Sequence, residues 1–209
     1  AYSLISYHTA YLKAHYPVEF MCAIMSLDIT NTDKLLFFKE ECKHLGFEVL
    51  KPDINKSGAD FTVEGRNVRY ALGAIKGVGA VNMQSIVEER EKNGSYKNLS
   101  DFIHRTDSKQ INRRQMEQLI KAGAFDCLDS NRGKIFANLE MIMQHIAADT
   151  AMKNSSQTSL FGDEELQTEI KLKDAPDWTE LEKLRIESEA IGFYLSAHPL
   201  DSYQQGMKR

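Results

Sequence analysis

The sequence predicts a mostly α fold with one small β-hairpin, a polar linker and a C-terminal helix, on three observations. Apolar residues recur at helical spacing through most of the chain, one short stretch alternates with period two, and the polar run Lys153–Ser159 has no apolar periodicity. At 209 residues, 42% hydrophobic and 27% charged, the chain has the composition of a globular protein able to bury one large core or two small ones. No apolar run approaches the ~18–20 residues of a membrane span, and Ala1-Tyr2-Ser3 opens no signal peptide. A cytoplasmic protein without a membrane partner is expected. Cys22, Cys42 and Cys127 are odd in number and set in apolar helical patterns, which predicts buried free thiols. No CxxC, HxH or HExxH occurs, so no metal ligand set is assigned.

The first helix is expected from Ala1 to Lys13, apolar at 4, 5, 7, 11 and 12, as though cut from something longer. His8 and His15 share a face, but a lone pair at that spacing justifies no catalytic base. Pro17 opens a second helix with the stripe Phe20, Met21, Ile24 and Met25. A third runs from a Thr32 cap through Leu35, Phe38, Cys42 and Leu45 to Gly46. Residues 60–64 and 67–71 then flank a Gly65-Arg66 turn, predicting a β-hairpin.

That hairpin feeds Tyr70-Ala71-Leu72-Gly73-Ala74-Ile75-Lys76-Gly77-Val78-Gly79-Ala80, two apolar segments joined through a Gly-Val-Gly corner. It reads as a helix-hairpin-helix. Gly77 and Gly79 can take positive φ and admit a foreign backbone, Val78 can turn inward, and a helix from Ala80 aims unpaired N–H groups at the corner. Such an end attracts anions. With Lys76 beside it and no acid in the hairpin, the expected anion is a phosphate diester of duplex DNA, held without base readout. A Gly-punctuated turn that merely packs is the alternative.

The second hairpin helix should stop at Asn93-Gly94, and Leu99, Phe102 and Ile103 start another. Asn112 and Gln115 spell a capping box, with Ile111 and Met116 at the staple positions. That helix ends at Ala122-Gly123-Ala124, and a further one starts at Ser130 with Ile135, Phe136, Leu139, Ile142, Met143 and Ile146 on one side. Helix, glycine turn, helix suggests a second copy of the device around Gly123, decorated by Arg113, Arg114 and Lys121, or else a plain packed helical pair.

Charge follows the same division. The net charge of −4 is the sum of −3 over residues 1–65, +5 over 66–121 and −6 over 122–209, and a basic centre suits a DNA-contacting module. In the linker, Leu160 and Phe161 stand side by side among polar residues, which points either to docking on their own domain or to anchors for a partner's groove. A last amphipathic helix spans Trp178–Glu187, and Gly192–Tyr203 forms an apolar tail.

The run Ala1–Phe20 resembles the fingers of the bacterial replicative DNA polymerase III alpha-subunit family. So do Pro52-Asp53-Ile54-Asn55, Gly73–Gly79, Leu119–Asp126 and Gly192–Leu200, in the family's order. The resemblance implies a helical fingers segment over residues 1–65, a tandem helix-hairpin-helix DNA-binding domain over 66–150, and a linker over 151–209 leading towards an OB domain. It also implies a sliding-clamp-binding pentapeptide at Gln157-Thr158-Ser159-Leu160-Phe161, with other holoenzyme subunits as further partners. Tyr2, Ser6, Tyr7 and His8 fall in fingers sequence near the family's nucleotide site, without an assigned role. Polymerase chemistry needs clustered carboxylates holding Mg²⁺, and no Asp-x-Asp occurs. The family places those aspartates upstream of Ala1, so a piece without polymerase activity, catalytic residues or cofactor of its own is expected. A stand-alone helix-hairpin-helix repair enzyme and a purely structural helical module are the alternatives.

Overall fold

The computed structural model describes residues 2–154 and 169–200. Its first helices are α1 (Tyr2–His15), α2 (Pro17–Leu27) and α3 (Thr32–His44). Pro17 takes the first helical position, where its missing N–H would have had no partner. Met21 and Met25 of α2 and Leu35 and Cys42 of α3 are buried. α1 packs along α2 and reaches α3 through the Lys13–Glu41 ion pair at 2.7 Å, while its stripe of Leu4, Ile5, Tyr7, Tyr11 and Leu12 is exposed. No residue of α1 is buried, so periodicity there marks amphipathicity but not core. The α3 cap is Asn31, whose side-chain oxygen accepts from Lys34 N, and Thr32 becomes the first helical residue.

The predicted hairpin forms as β2 (Thr62–Glu64) and β3 (Asn67–Arg69), shorter than expected, with Thr62 opposite Arg69 and Gly65 at φ +62° in the turn. A third strand, β1 (Val49–Leu50), pairs parallel to β3 and makes β3 central. Two residues are too few to show a period, so β1 left no trace in the pattern. This sheet crosses the 65/66 division expected from the sequence.

Beyond the sheet come a 3-10 turn (Leu72–Ala74), α4 (Ala80–Asn93), α5 (Leu99–Arg105), α6 (Arg113–Lys121), α7 (Arg132–Ala137), α8 (Leu139–Asn154) and α9 (Glu180–Ile191). The predicted long helix from Ser130 is two, α7 and α8. Its cap is Asn131, and the break is Asn138, whose amide donates to the carbonyls of Lys134 and Lys173 and accepts from Lys173 N. A side chain that bonds the chain running across it replaces one that would continue the helix. α8 extends past the predicted linker start at Ala151 to Asn154.

One apolar cluster runs from Met21 to Leu195. At its centre Tyr96, Phe102 and Phe125 meet edge to face, and Tyr70 meets Phe61 and Phe193 in the same way. α9 starts with a capping box of Thr179 and Glu182, lies on α6 and ends at Gly192. Of the three thiols, Cys42 is buried, Cys22 is half-buried and Cys127 is exposed, contrary to the expectation for Cys127. Gln157, Leu160 and Phe161 lie outside the described residues.

Candidate nucleic-acid interface

The corner starts from a single 3-10 turn where a first helix was expected. Leu72, Ile75 and Val78 are buried and anchor it, with Val78 turned inward as predicted. Gly73 is required for contact: a Cβ there would sit 2.6 Å from the Ala59 carbonyl oxygen and 2.8 Å from Ala80 Cα. Gly77 and Gly79 hold φ of +76° and +81°, the left-handed region that glycine occupies without penalty.

Gly79 is the N-cap of α4 and supplies no side-chain acceptor. In α3, α5, α6, α7 and α9 an Asn31, Asn98, Asn112, Asn131 or Thr179 side chain fills that place. The α4 first turn carries no acid either. Its N–H groups and the positive end of its dipole are therefore left for an external acceptor.

Two cations frame this end. Lys76 is exposed, and its backbone N–H donates to Ala190 O at 2.9 Å. Arg114, near the start of α6, lies against the corner, its Nε 3.2 Å from where a Cβ on Gly77 would stand. Neither side chain has an ion-pair partner among the described residues. α6 is held here by Gln115, which is buried. Its Nε2 donates to Val78 O at 2.6 Å and its Oε1 accepts from Asn112 N, while its own N–H donates to Asn112 Oδ1. One amide thus completes the capping box and ties α6 to the corner. The sequence pattern showed the box but not the third bond, which joins residues 37 apart.

The remaining predicted residues fall elsewhere. Arg113 pairs with Glu140 at 2.7 Å, both exposed. Lys121 is engaged by Glu117 at 2.7 Å and lies over the Phe136 ring. Gly123, at φ +79°, stands beyond the far end of α6, roughly 13 Å along the helix from Arg114. Arg132 covers it: a Cβ on Gly123 would fall 2.1 Å from Arg132 Nη2. Arg132 is buried and bidentate to Asp126 at 2.7 and 2.6 Å, with Glu187 3.9 Å away. Burial alone would lower its pKa, but Asp126 and then Glu187 outweigh that and raise it, so the guanidinium stays charged. Glu187 in turn accepts from Ser196 N and Oγ. The structure therefore brings Gly77, Val78 and Arg114 together across α4 and α5 and sets Gly123 apart, under the buried guanidinium of Arg132.

Among the described residues no group of three or more His, Cys, Asp or Glu side chains could hold a metal ion. No helix among them is long and apolar enough to cross a membrane.

A family profile described as a helix-hairpin-helix motif matches residues 46–135, beginning just ahead of β1. DNA polymerase III subunit alpha of Neisseria meningitidis serogroup A is 46% identical over 211 residues, covering 100% of this chain and 18% of that protein. The subunit from Borreliella burgdorferi is 43% identical over 99% of this chain, and that from Thermus aquaticus 41% over 97%, covering 18% and 16% of those proteins. The chain thus spans less than a fifth of the length of the relatives it matches. With identity this high from end to end, and the helix-hairpin-helix profile lying on the corner itself, the chain belongs to the DNA polymerase III subunit alpha family.

Proposed function

We propose that the corner Lys76-Gly77-Val78-Gly79, with Arg114 and the neighbouring Arg113, holds the phosphate backbone of duplex DNA without reading its bases. The observation that carries this is the uncapped, acid-free N-terminus of α4 between two unpaired cations. Backbone N–H groups and point charges recognise a phosphate diester, a contact that fixes the duplex without carrying sequence information. Arg113 contributes by leaving an exposed pair, whereas Lys121 and Gly123 serve the framework. In this reading residues 1–65 extend the polymerase fingers, 66–150 grip the primer-template duplex, and 151–209 lead onward. The longer cytoplasmic polymerase supplies the Mg²⁺-binding aspartates and has the other holoenzyme subunits as its partners. Competition between two unrelated duplexes tests the mode: equal affinity is expected, and preference for one would contradict it.

Clamp tethering through Gln157, Leu160 and Phe161 completes the proposal. It is supported by the described residues on either side. Before the motif, Lys153 Nζ donates to His104 O and Thr150 Oγ1 accepts from Ser108 N; after it, Ile170 N donates to Ser100 Oγ. Both flanks are thus fastened to α5 or the turn after it, which keeps clamp and duplex close and raises their effective concentration. Replacing Leu160 and Phe161 by alanine is expected to abolish capture of the clamp with no change in thermal stability; a lower melting temperature would make them core residues instead.

A further inference from the structure

Three distant stretches meet at Gly192, which ends α9 at φ +107°. A Cβ there would stand 2.3 Å from Thr32 Cγ2, at the start of α3, and 2.9 Å from both Cε and Nζ of Lys76. Gly46, Gly79 and Gly94 also have positive φ, yet a Cβ on any of them would point into open space. Backbone conformation explains those three; at 192 there is a second reason, the lysine lying across it. The last turn of α9 contains no basic residue; the Lys76 ammonium lies against the glycine that ends it, and Lys39 donates to the Tyr194 carbonyl two residues on, so both cations face its negative end. The Lys76 backbone is fixed to the same place through Ala190 O.

We infer that Gly192 and the C-terminus of α9 are positioning elements for Lys76, fixing the course its side chain takes from the corner in advance of DNA. The inference rests on the DNA-backbone reading of that corner. A lysine stem ordered beforehand loses less rotamer freedom when it meets a phosphate, and an uncharged residue on a distant helix thereby governs a charge contact.

The test is the slope of log K against log salt for a fluorescent duplex bound by the full chain. Each phosphate contact contributes about −0.9 to that slope. Lys76→Ala should make it shallower by about 0.9. Gly192→Ala combined with Thr32→Ala, which removes the methyl clash and leaves the one with Lys76, should do the same relative to Thr32→Ala alone. Adding Lys76→Ala to that pair should change nothing further. A Gly192→Ala/Thr32→Ala slope equal to that of Thr32→Ala, or a further drop on adding Lys76→Ala, overturns the inference while leaving the DNA-backbone reading intact. An unchanged slope in Lys76→Ala overturns that reading and the inference with it. Should the Gly192 variants fail to fold, the unmodified chain decides: a nuclear Overhauser contact between the Lys76 Hε and Gly192 Hα protons is expected, and its absence overturns the inference.

Discussion

Arg114 Nε lies 3.2 Å from the point where Gly77 would carry a Cβ, so the start of α6 and the first glycine of the corner share one surface. Two stretches 37 residues apart are locked by this contact together with the Gln115 to Val78 bond. The cations proposed to grip DNA are therefore ordered by the fold that also orders the glycine turn.

Gly77→Ala should cost about 1–2 kcal/mol, because a Cβ at φ +76° is sterically strained even before it presses on Arg114. Urea unfolding at neutral pH measures it. A neutral or stabilising substitution would show that the turn relaxes freely.

Arg114 and Arg113 are adjacent but differently placed. Arg114→Ala should weaken duplex binding several-fold, since its charge has no partner, whereas Arg113→Ala should weaken it less, because Glu140 already engages that guanidinium. Fluorescence anisotropy with one duplex at fixed salt compares them, and the reverse order would count against the geometry.

Gln115→Ala removes two jobs at once. The Val78 carbonyl loses its buried donor and α6 loses half of its capping box, for an expected cost of about 2–3 kcal/mol. Denaturant midpoints give the answer, and a loss below about 0.5 kcal/mol would mean that water replaces the amide.

Gly123→Ala should destabilise the chain by about 3 kcal/mol or more without a specific effect on DNA. Its Cβ would drive Arg132 from Asp126 in a buried setting, where breaking an ion pair leaves an uncompensated charge. A variant that melts normally but has lost duplex affinity would instead place Gly123 on the DNA face.

The Arg69 hydrogen bond, helped by Lys56, holds the Glu64 carboxyl below its ordinary pKa. A carboxyl depressed on folding adds stability above its unfolded pKa of about 4.3, and loses it as pH falls through the lower folded value. Glu64→Gln should therefore be less stable than the unmodified chain at pH 7, with the gap closing as the solution is acidified. A constant gap from pH 7 to strongly acid solution would show that charge plays no part.

Where a feature was local, it could be read from the residues. The inward Val78, the start of α4 at Ala80, the Gly65-Arg66 hairpin and the Asn112–Gln115 box each rest on a few adjacent residues whose chemistry is specific. Long-range features left no comparable mark. The β1 strand exists because β3 offers it an edge, and Asn138 breaks a helix because Lys173 passes beside it. Gly123 reads as a second corner because it stands between two helical patterns, and it does share positive φ with Gly77, while the guanidinium above it comes from the next helix. Likewise Arg114 could be named as a cation from the sequence, but its place beside Gly77 depends on how α6 docks.

The salt dependence of duplex binding by the full chain tests the central claim most directly. With Lys76 and Arg114 both on phosphates, log K should fall linearly with log salt at a slope of at least about −1.8 between roughly 50 and 200 mM. The Lys76→Ala/Arg114→Ala double variant should lose that amount. Binding that ignores salt, or a slope the double variant leaves untouched, would contradict a corner built to hold the DNA backbone.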